Sequence, residues 1–428
     1  MRTQNIFTHI IILVFLALLL VSCKQAQERT SQIGHIEAGQ GDVERNPQPD
    51  SQHDVVPISH VSYTDSLTSF APAKDGVFIL QNIFPASENI LYLDFETKQE
   101  VFLCTSPNCK HNTTDCPSYL PLEDQEYGYN IFFFNDEIYL VQCAINASRP
   151  PHISKMGIDG SNPKDICFLD AGENFTGKVF GYGDDDILIE TTHTFEGGQT
   201  EKRLERINCN SGERNVVAYY PSDSYYGLMA AVNNKLIFIK IDDTGNLYFW
   251  GDLSNDNISL ADCAANAPIG TVFDDEKITY SIQGDYLCKV DIAIKEISAT
   301  NLTTGQVHMF QYPSDLSDDT WFGLNYLFDD NFALIASTPN IGITKRLFDA
   351  NTGNLTNHTY PISKTNNHQI ITTTDNQVVS LIRSEERPME NQAEYGLSGV
   401  VCYVDVFGIT PKAEFLQGDI GTEISIPY

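Results

Sequence analysis

Short apolar runs recur along the chain after residue 55, and each follows a turn that is mostly Asp and Asn. Asn and Asp tolerate positive φ and therefore favour the tight turns of β-hairpins. Seven turn-and-run pairs are present, and each predicts the hairpin between an innermost strand and its neighbour. The runs begin at Val77, Ile138, Ile187, Leu236, Ile278, Phe332 and Val378, at intervals of 61, 49, 49, 42, 54 and 46 residues.

A second turn, with glycine, follows most of these runs. Examples are Asp159-Gly160, Ser211-Gly212, Thr304-Gly305 and Thr352-Gly353. Two hairpins in every 40–50 residues are typical of a four-stranded propeller blade. The pattern predicts an all-β fold, a β-propeller of four-stranded antiparallel blades over residues 55–428. Seven blades fit best, and the irregular unit around Trp250 leaves six or eight open.

The N-terminus has the pattern of an export signal. Arg2 precedes an apolar run from Ile10 to Val21, which is too short to span a bilayer and fits a signal peptide. The run ends in Leu20-Val21-Ser22-Cys23, which resembles the bacterial lipobox, where the chain is cut before a cysteine that becomes lipidated. We therefore expect a signal peptide at 1–22 and a lipid anchor on Cys23 at the extracytoplasmic face of the cell membrane. A simple cleaved signal and an uncleaved anchor are the alternatives.

Residues 23–54 are predicted to form the lipidated cysteine and a disordered tether. This segment is rich in Gln, Glu, Gly, Asn, Pro and Ser and lacks aliphatic periodicity. Such a composition buries too little apolar surface to offset the entropy of ordering. A random coil of roughly 30 residues would reach about 30 Å, so it would hold the propeller away from the membrane.

The charge balance excludes one class of partner. The chain carries 26 Lys and Arg against 57 Asp and Glu, a net charge of −31, and no basic stripe is visible. Nucleic-acid binding needs such a stripe, so we expect no nucleic-acid partner. Electrostatic adhesion to anionic lipid is excluded for the same reason, which leaves the lipid anchor as the membrane contact.

One loop concentrates metal-ligand side chains. Cys104, Cys109, His111 and Cys116 have the spacing C-x4-C-x-H-x4-C, and three thiolates with an imidazole are a tetrahedral zinc set by type. Export favours disulfides instead, and nine cysteines remain after Cys23, which is an odd number. A disulfide-stapled loop, a Cys3His site holding a structural zinc, and unlinked thiols all stay open. The other cysteines are scattered among strands and are predicted to be small buried hydrophobes.

These features together resemble a group of β-propeller lipoproteins from gut-dwelling anaerobic bacteria. Members share a lipobox, a polar tether and a loop of the form Cys-x-x-Pro-x-Cys-x-His followed by a further Cys. The match here is Cys104, Pro107, Cys109, His111 and Cys116. The resemblance implies the propeller and the anchor, and it implies no activity. Exported propellers often bind sugars, peptides or cell-envelope proteins, which is an analogy of fold.

Aromatic residues mark a predicted binding face. They lie in segments expected to join the outer strand of one blade to the inner strand of the next, and the cysteine loop is expected to be the same kind of connection. Tyrosine and tryptophan rings suit sugar or peptide contact. The alternative is that these rings pack between blades. The residues are Tyr127, Tyr129, Tyr225, Tyr226, Trp321 and Phe322.

No catalytic motif is present: the sequence has no Gly-x-Ser-x-Gly elbow, no His-Glu-x-x-His and no P-loop. Clusters such as Asp184–Asp186 occupy the repeated turn position, so turn chemistry explains them without calcium. We expect a surface binding or scaffold module whose ligand is a cell-envelope protein or a carbohydrate. One alternative is a metal-handling or redox protein that uses the loop from Cys104 to Cys116. Another is a carbohydrate-active enzyme, which needs two inward carboxylates on different blades.

Overall fold

The computed structural model describes residues 69–424, apart from 83, 85–86, 123–127, 144–148, 233–234, 244, 254–256, 273–277, 284, 315–320, 339–341, 350–351, 360–368, 389–398, 400 and 420. The predicted signal peptide, Cys23, the tether and Tyr127 lie outside the described residues. The described chain is all-β, and the prediction of a seven-bladed propeller is confirmed.

Blades 1 to 3 are built from consecutive strands. In chain order the strands are β1 (Phe70–Pro72), β2 (Gly76–Gln81), β3 (Ser87–Asp94), β4 (Gln99–Phe102) and β5 (Tyr119–Pro121) in blade 1, β6 (Tyr129–Phe134), β7 (Glu137–Gln142), β8 (His152–Gly157) and β9 (Lys164–Phe168) in blade 2, and β10 (Glu173–Tyr182), β11 (Asp186–Thr194), β12 (Thr200–Asn208) and β13 (Arg214–Tyr219) in blade 3.

Blades 4 to 7 repeat the same order. The strands are β14 (Tyr225–Val232), β15 (Lys235–Asp242), β16 (Gly245–Asp252) and β17 (Pro268–Val272) in blade 4, β18 (Ile278–Gln283), β19 (Tyr286–Asp291), β20 (Glu296–Asn301) and β21 (Val307–Phe310) in blade 5, β22 (Trp321–Phe328), β23 (Asn331–Thr338), β24 (Gly342–Phe348) and β25 (Leu355–Thr359) in blade 6, and β26 (Gln369–Thr373), β27 (Gln377–Pro388), β28 (Val401–Pro411) and β29 (Thr422–Ile424) in blade 7.

The turns between strands have the chemistry that the sequence predicts. Asn135 and Asp136 both have positive φ, 50° and 59°, as the two central residues of a type I′ hairpin turn require. In the second hairpin, Gly305 has a φ of 74°, and Asn301 Oδ1 accepts from the backbone N–H of Thr304 at 2.8 Å. Polar turns therefore fix the register of these hairpins.

The seven blades form a closed ring. The first strand of blade 1, β1, contacts the first strands of both blade 2 and blade 7. Phe70 and Phe407 meet edge-on with centroids 5.8 Å apart, in a core cluster that also joins Val77 and Ile79 of blade 1 to Val379 of blade 7. Blade 7 takes all of its described strands from the C-terminal part of the chain, so side-chain packing holds this junction.

One predicted hairpin was misplaced. Ile278 begins β18, the first strand of blade 5, and the Asp-rich segment 274–277 before it lies outside the described residues. The second strand of blade 5 is β19, which begins at Tyr286 after Asp285. Leu236, Tyr286 and Phe332 are 50 and 46 residues apart, so the irregular intervals of 42 and 54 disappear.

Two short helices complete the described structure. Helix α1 (Leu260–Asn266) lies between β16 and β17, and helix α2 (Lys412–Phe415) follows β28. Leu260 and Phe415 are buried and anchor the two helices. Among the described residues there is no helix with the length and apolar character needed to cross a membrane.

Candidate metal centre and aromatic face

The cysteine loop interrupts the fourth strand of blade 1. Strands β4 and β5 both pair antiparallel with β3: Phe102 lies opposite Leu91, and Tyr119 lies opposite Asn89. Between them, Ile90 accepts from the Leu103 N–H at 2.9 Å and donates its own N–H to Ser118 O at 2.9 Å. The two strands are therefore halves of one fourth strand. The prediction that this loop joins two blades was wrong, because the loop leaves and re-enters the same strand edge.

Local turns shape the loop between the two halves. The Cys109 N–H donates to Ser106 O at 3.3 Å, and the Cys116 N–H donates to Thr113 O at 3.0 Å. Asn108 and His111 have positive φ values of 62° and 55°, so the backbone folds back on itself on both sides of Lys110. These turns direct side chains that are distant along the loop toward one point.

The loop brings the predicted ligand set together. The ligand atoms of Cys104, Cys109, His111 and Cys116 all lie within 4.8 Å of one another. His111 Nδ1 is 3.3 Å from Cys116 Sγ, close to the edge of a zinc tetrahedron with ordinary Zn–N and Zn–S bonds. Among the described residues this is the one group of three or more such side chains that converges to metal-binding distance.

Burial and contacts with Phe102 and Asn89 fix the candidate ligands. Cys104, His111 and Cys116 are buried, and the Phe102 ring stacks on the His111 imidazole with centroids 4.1 Å apart. Asn89 Nδ2 donates to the backbone carbonyl of His111 at 2.9 Å. Burial lowers the pKa of His111, which favours the neutral imidazole that metal ligation requires. Four protein ligands would fill a tetrahedral ion's coordination, whereas a disulfide needs only two of the sulfurs.

The predicted binding-face aromatics do not share one environment. Tyr225 is exposed, whereas Tyr129 and Tyr226 are buried within core clusters between blades. Trp321 and Phe322 begin β22, and their side chains lie outside the described part of the structure. The alternation along β14 explains the split between Tyr225 and Tyr226, because neighbouring residues of a strand point to opposite faces.

Four aromatic rings are exposed among the described residues: Phe168, Phe195, Tyr219 and Tyr225. They lie at the end of β9, the end of β11, the end of β13 and the start of β14. Because strands alternate in direction within a blade, all four positions fall on the same face of the disc. We call this group on blades 2 to 4 the aromatic face. Sequence reasoning found only Tyr225 of these four, because Phe168 and Phe195 have no aromatic neighbour in the sequence and Tyr219 lies just before the Tyr220-Pro221 segment from which the face was predicted.

Each ring of the aromatic face lies beside a cation or a histidine. The Phe168 ring stacks on His152, and the Phe195 ring stacks on His193 at centroid distances of 5.3 and 4.2 Å. The guanidinium of Arg203 lies 5.9 Å from the Tyr219 ring, and Lys202 Nζ lies 5.4 Å from the Tyr225 ring. Such contacts orient a ring while leaving much of its surface to solvent.

Carboxylates neutralise the cations beneath these rings. Lys202 Nζ lies 2.8 Å from Oε1 of the buried Glu190. Arg203 Nε lies 2.6 Å from Glu201 Oε1, and Arg203 Nη1 lies 3.1 Å from Glu173 Oε1. Beside Tyr219 a cavity of about 320 Å³ opens against Pro221, Asn257, Ile258, Ser259, Leu260 and Ala261. The aromatic face therefore offers fixed apolar rings, with no unpaired cation at Lys202 or Arg203.

Carboxyl groups with raised pKa values lie between blades. Burial raises the pKa of Glu88 to about 7 and that of Glu100 to about 8. Burial also raises the pKa of Asp405, in blade 7, to about 6. Glu88 accepts the Tyr129 N–H at 2.8 Å, and the negative charge of Asp405 acts on Glu100 across the junction of blades 1 and 7. Glu88 and Glu100 are each less than a tenth exposed, so these groups line blade junctions and no open cleft.

The Asp cluster at 184–186 is satisfied by its neighbours. Asn210 Nδ2 donates to Asp185 Oδ1, and Asn208 Nδ2 donates to Asp186 Oδ1, both at 2.7 Å. Asn135 of blade 2 donates to the carbonyl of Asp184. These carboxylates serve the turn, in agreement with the interpretation from sequence.

No protein-family model matches the chain, and no curated protein matches it. Solved structures do. A puromycin hydrolase aligns at 11% identity and a TM-score of 0.47 over 84% of this chain and 54% of its own. A puromycin-hydrolyzing peptidase of Mycobacterium tuberculosis aligns at 10% identity and a TM-score of 0.48, over 87% of this chain and 57% of the peptidase. YCF48 bound to D1 peptide aligns at 10% identity and a TM-score of 0.41, over 78% of this chain and 94% of the YCF48 chain. The chain thus spans little more than half the length of the two hydrolases.

Proposed function

We propose that the protein is a lipid-anchored surface binding module, and that its ligand contacts the aromatic face. The observation that carries this proposal is that all four exposed aromatic rings of the described chain lie on one face of three consecutive blades. Scattered single apolar residues are ordinary on a surface, whereas a group gathered on one face indicates an interaction site.

The chemistry of the aromatic face favours a neutral glycan. Each ring offers a flat apolar surface of the kind that stacks against the C–H face of a sugar. Lys202 and Arg203 are already paired with carboxylates, and the net charge of −31 repels anionic polymers. The rings span three blades, so the favoured ligand is an extended chain. A cell-envelope protein is the competing ligand.

Affinity electrophoresis tests this proposal. Native gels would contain neutral polysaccharides (xylan, galactomannan or mixed-linkage β-glucan), with acidic polygalacturonate as a comparison. We expect at least one neutral polymer to retard the protein, and Tyr219→Ala and Tyr225→Ala to weaken that binding about tenfold or more each, as for an aromatic hot spot. Ile158→Ala is the matched control, because Ile158 is equally exposed (57% against 53% for Tyr219) on the opposite face of blade 2.

Two outcomes of that experiment would overturn the glycan ligand. Either none of the neutral polymers retards the native protein, or the tyrosine variants migrate like Ile158→Ala. Retardation by polygalacturonate alone would also contradict it, because the argument requires a neutral ligand. Capture of an envelope protein that depends on Tyr219 and Tyr225 would keep the binding face and change the ligand class.

The anchor is part of the same proposal. A diacylglyceryl group on Cys23 would hold the propeller at the extracytoplasmic face of the membrane, with the predicted tether between them. Cys23→Ala should release the protein from the membrane fraction and abolish incorporation of labelled fatty acid. A variant that remains acylated and membrane-bound would contradict the anchor.

We further propose that the cysteine loop holds a structural zinc ion. Three buried ligands and one partly buried cysteine supply all four positions of a tetrahedral site, which is typical of structural zinc and leaves no position for a substrate. A metal-handling or redox protein needs an accessible position, so this geometry favours the binding module over that alternative.

Elemental analysis of protein purified without oxygen tests the zinc. We expect one zinc per chain, lost in Cys116→Ser and kept in Cys167→Ser, a cysteine that is equally buried in blade 2 (4% against 2% exposed). Thiol counting after denaturation distinguishes the disulfide, which would leave two loop sulfurs unreactive until a reductant is added.

A further inference from the structure

We propose that the metal site holds together the two halves of an interrupted strand, so that metal binding restores the outer strand of blade 1. This inference rests on the proposed zinc site and concerns what that site does for the fold. It starts from the position of the loop within the strand, which neither the ligand spacing nor the zinc chemistry reveals.

The strand continues in register across the loop. Opposite β3, the partners of Leu91, Ile90 and Asn89 are Phe102, Leu103 and Tyr119. If residues 104–118 are left out, these partners follow one another as in an unbroken antiparallel ladder. The insertion therefore interrupts the strand without shifting its register.

The alternation of side chains also continues across the loop. Phe102 and Tyr119 pack with the core cluster shared with blade 7, whereas Leu103 and Leu120 pack with the cluster shared with blade 2. Neighbouring residues of one continuous strand would alternate in this way. The inserted segment has no aliphatic side chain between Cys104 and Ser118, so it cannot be anchored by an apolar core of its own.

The ligands stand at both ends of the insertion. Cys104 is the first inserted residue, and only two residues lie between Cys116 and the start of β5. An ion bound to both would join the exit and the return of the loop and keep β5 beside β3. Asn89 extends this link, because its side chain donates to His111 O at 2.9 Å and to Ser118 Oγ at 3.3 Å.

The second half of the strand matters for the neighbouring blade. Leu120 of β5 lies opposite Glu88, whose carboxylate accepts the first-strand N–H of Tyr129 in blade 2 at 2.8 Å. Gly128 approaches Glu88 so closely that a Cβ there would lie 2.2 Å from its Oε1. Loss of β5 would therefore disturb the junction of blades 1 and 2, whereas β4 would keep its own pairing with β3.

Hydrogen exchange on the full chain tests the inference. After metal removal by a chelator, we expect the amide of Ile90, which donates to Ser118 O, and the amides of β5 to exchange about tenfold faster or more. The Leu103 amide, which donates to Ile90 O on the β4 side, is the internal control and should change little. Cys116→Ser should reproduce the effect, and Cys167→Ser should not.

A loop-excised variant gives the decisive comparison. Joining Leu103 directly to Tyr119 should give a continuous strand that protects the Ile90 amide without metal, and chelator should then have no effect. Protection in β5 that survives chelation in the native chain would overturn the inference, as would an excised chain that fails to protect Ile90. If the native protein contains no metal, the zinc proposal itself fails, and elemental analysis separates that result from the other two.

Discussion

Two of the long segments that leave the blades differ in the side chains that they bury. The cysteine loop (104–118) leaves the fourth strand of blade 1, and the blade 4 excursion (253–267) lies between β16 and β17. In the cysteine loop the buried side chains are mainly potential metal ligands, Cys104, His111 and Cys116. In the blade 4 excursion they are aliphatic: Leu253, Ile258 and Leu260.

The blade 4 excursion uses the ordinary means of protein folding. Leu260 and Ile258 enter the core cluster between blades 3 and 4. The Ile258 N–H donates to Val217 O at 2.8 Å, so the excursion also pairs with the outer strand of blade 3. Helix α1 then closes the segment, with Ser259 as its N-cap.

The difference shows what a polar excursion needs in order to be fixed. Burial of an aliphatic side chain contributes about 1.5–3 kcal/mol, and three such side chains can offset much of the ordering cost of a short segment. The cysteine loop has no aliphatic side chain to bury, so cross-linking by the proposed metal would be the main source of its order.

Metal removal should destabilise blade 1 most. We expect Cys116→Ser to lower the free energy of unfolding by more than about 3 kcal/mol, the stabilisation that a single disulfide would give a loop of this length. Denaturant unfolding with and without chelator measures this loss, and chelator should have no further effect on the variant. Equal stability of Cys116→Ser and Cys167→Ser would mean that the loop contributes no order to the blade.

Leu260→Ala tests the apolar counterpart. The substitution leaves a cavity in the core between blades 3 and 4, so we expect a loss of about 2–5 kcal/mol. Chelator should lower the stability of Leu260→Ala by the same amount as that of the native chain, because the two excursions are separate. Ala261→Ser, at an exposed neighbour, is the control and should change stability by less than about 0.5 kcal/mol. A chelator effect that vanishes in Leu260→Ala would show that the excursions are coupled.

The sequence could predict these regions only in part. The short apolar runs and the Asn–Asp turns were enough for the ring, because six of the seven blades repeat them. Blade 5 was misplaced because its true turn offers a single acid, Asp285, whereas the connection before Ile278 carries three acidic residues. The ligand set was visible from its spacing. Its place inside a strand was not, because fifteen residues separate Leu103 from the Tyr119 that continues the pattern.

A buried glutamate lies at a blade junction near each excursion, and the two glutamates differ in whether they form an ion pair. Glu88 accepts the Tyr129 N–H at the junction of blades 1 and 2, and Glu190 accepts the Leu228 N–H at the junction of blades 3 and 4. Glu190 has Lys202 at 2.8 Å, whereas Glu88 forms no ion pair within the described residues. Burial raises the pKa of Glu88 from 4.5 to about 7. Between these two pH values the folded chain keeps a proton on Glu88 that the unfolded chain releases.

The contribution of Glu88 to stability should therefore fall as the pH rises from 5 to 8, because it is complete below the unfolded pKa and is lost through the folded pKa. In Glu88→Gln the fall should be smaller by about 2 kcal/mol, since the amide can still accept from Tyr129 and carries no proton. Glu190→Gln, which removes the buried carboxylate paired with Lys202, is the comparison variant at the junction of blades 3 and 4. Identical pH profiles for Glu88→Gln and the native chain would contradict this assignment.

The predicted tether should give the smallest effect, because it has neither of the two means of fixation. The segment 24–46 offers no cysteine or aliphatic cluster, with Ile33, Ile36 and Val43 its only branched aliphatic residues. Such a segment gains too little from burial to overcome its conformational entropy. We expect deletion of Lys24 to Asn46 to leave the thermal midpoint of the propeller nearly unchanged, as measured by calorimetry on chains that both begin from the natural signal. A fall of more than about 4 °C, which corresponds to several kcal/mol in so large a chain, would show that this polar segment docks on the propeller and that a third means of fixation exists.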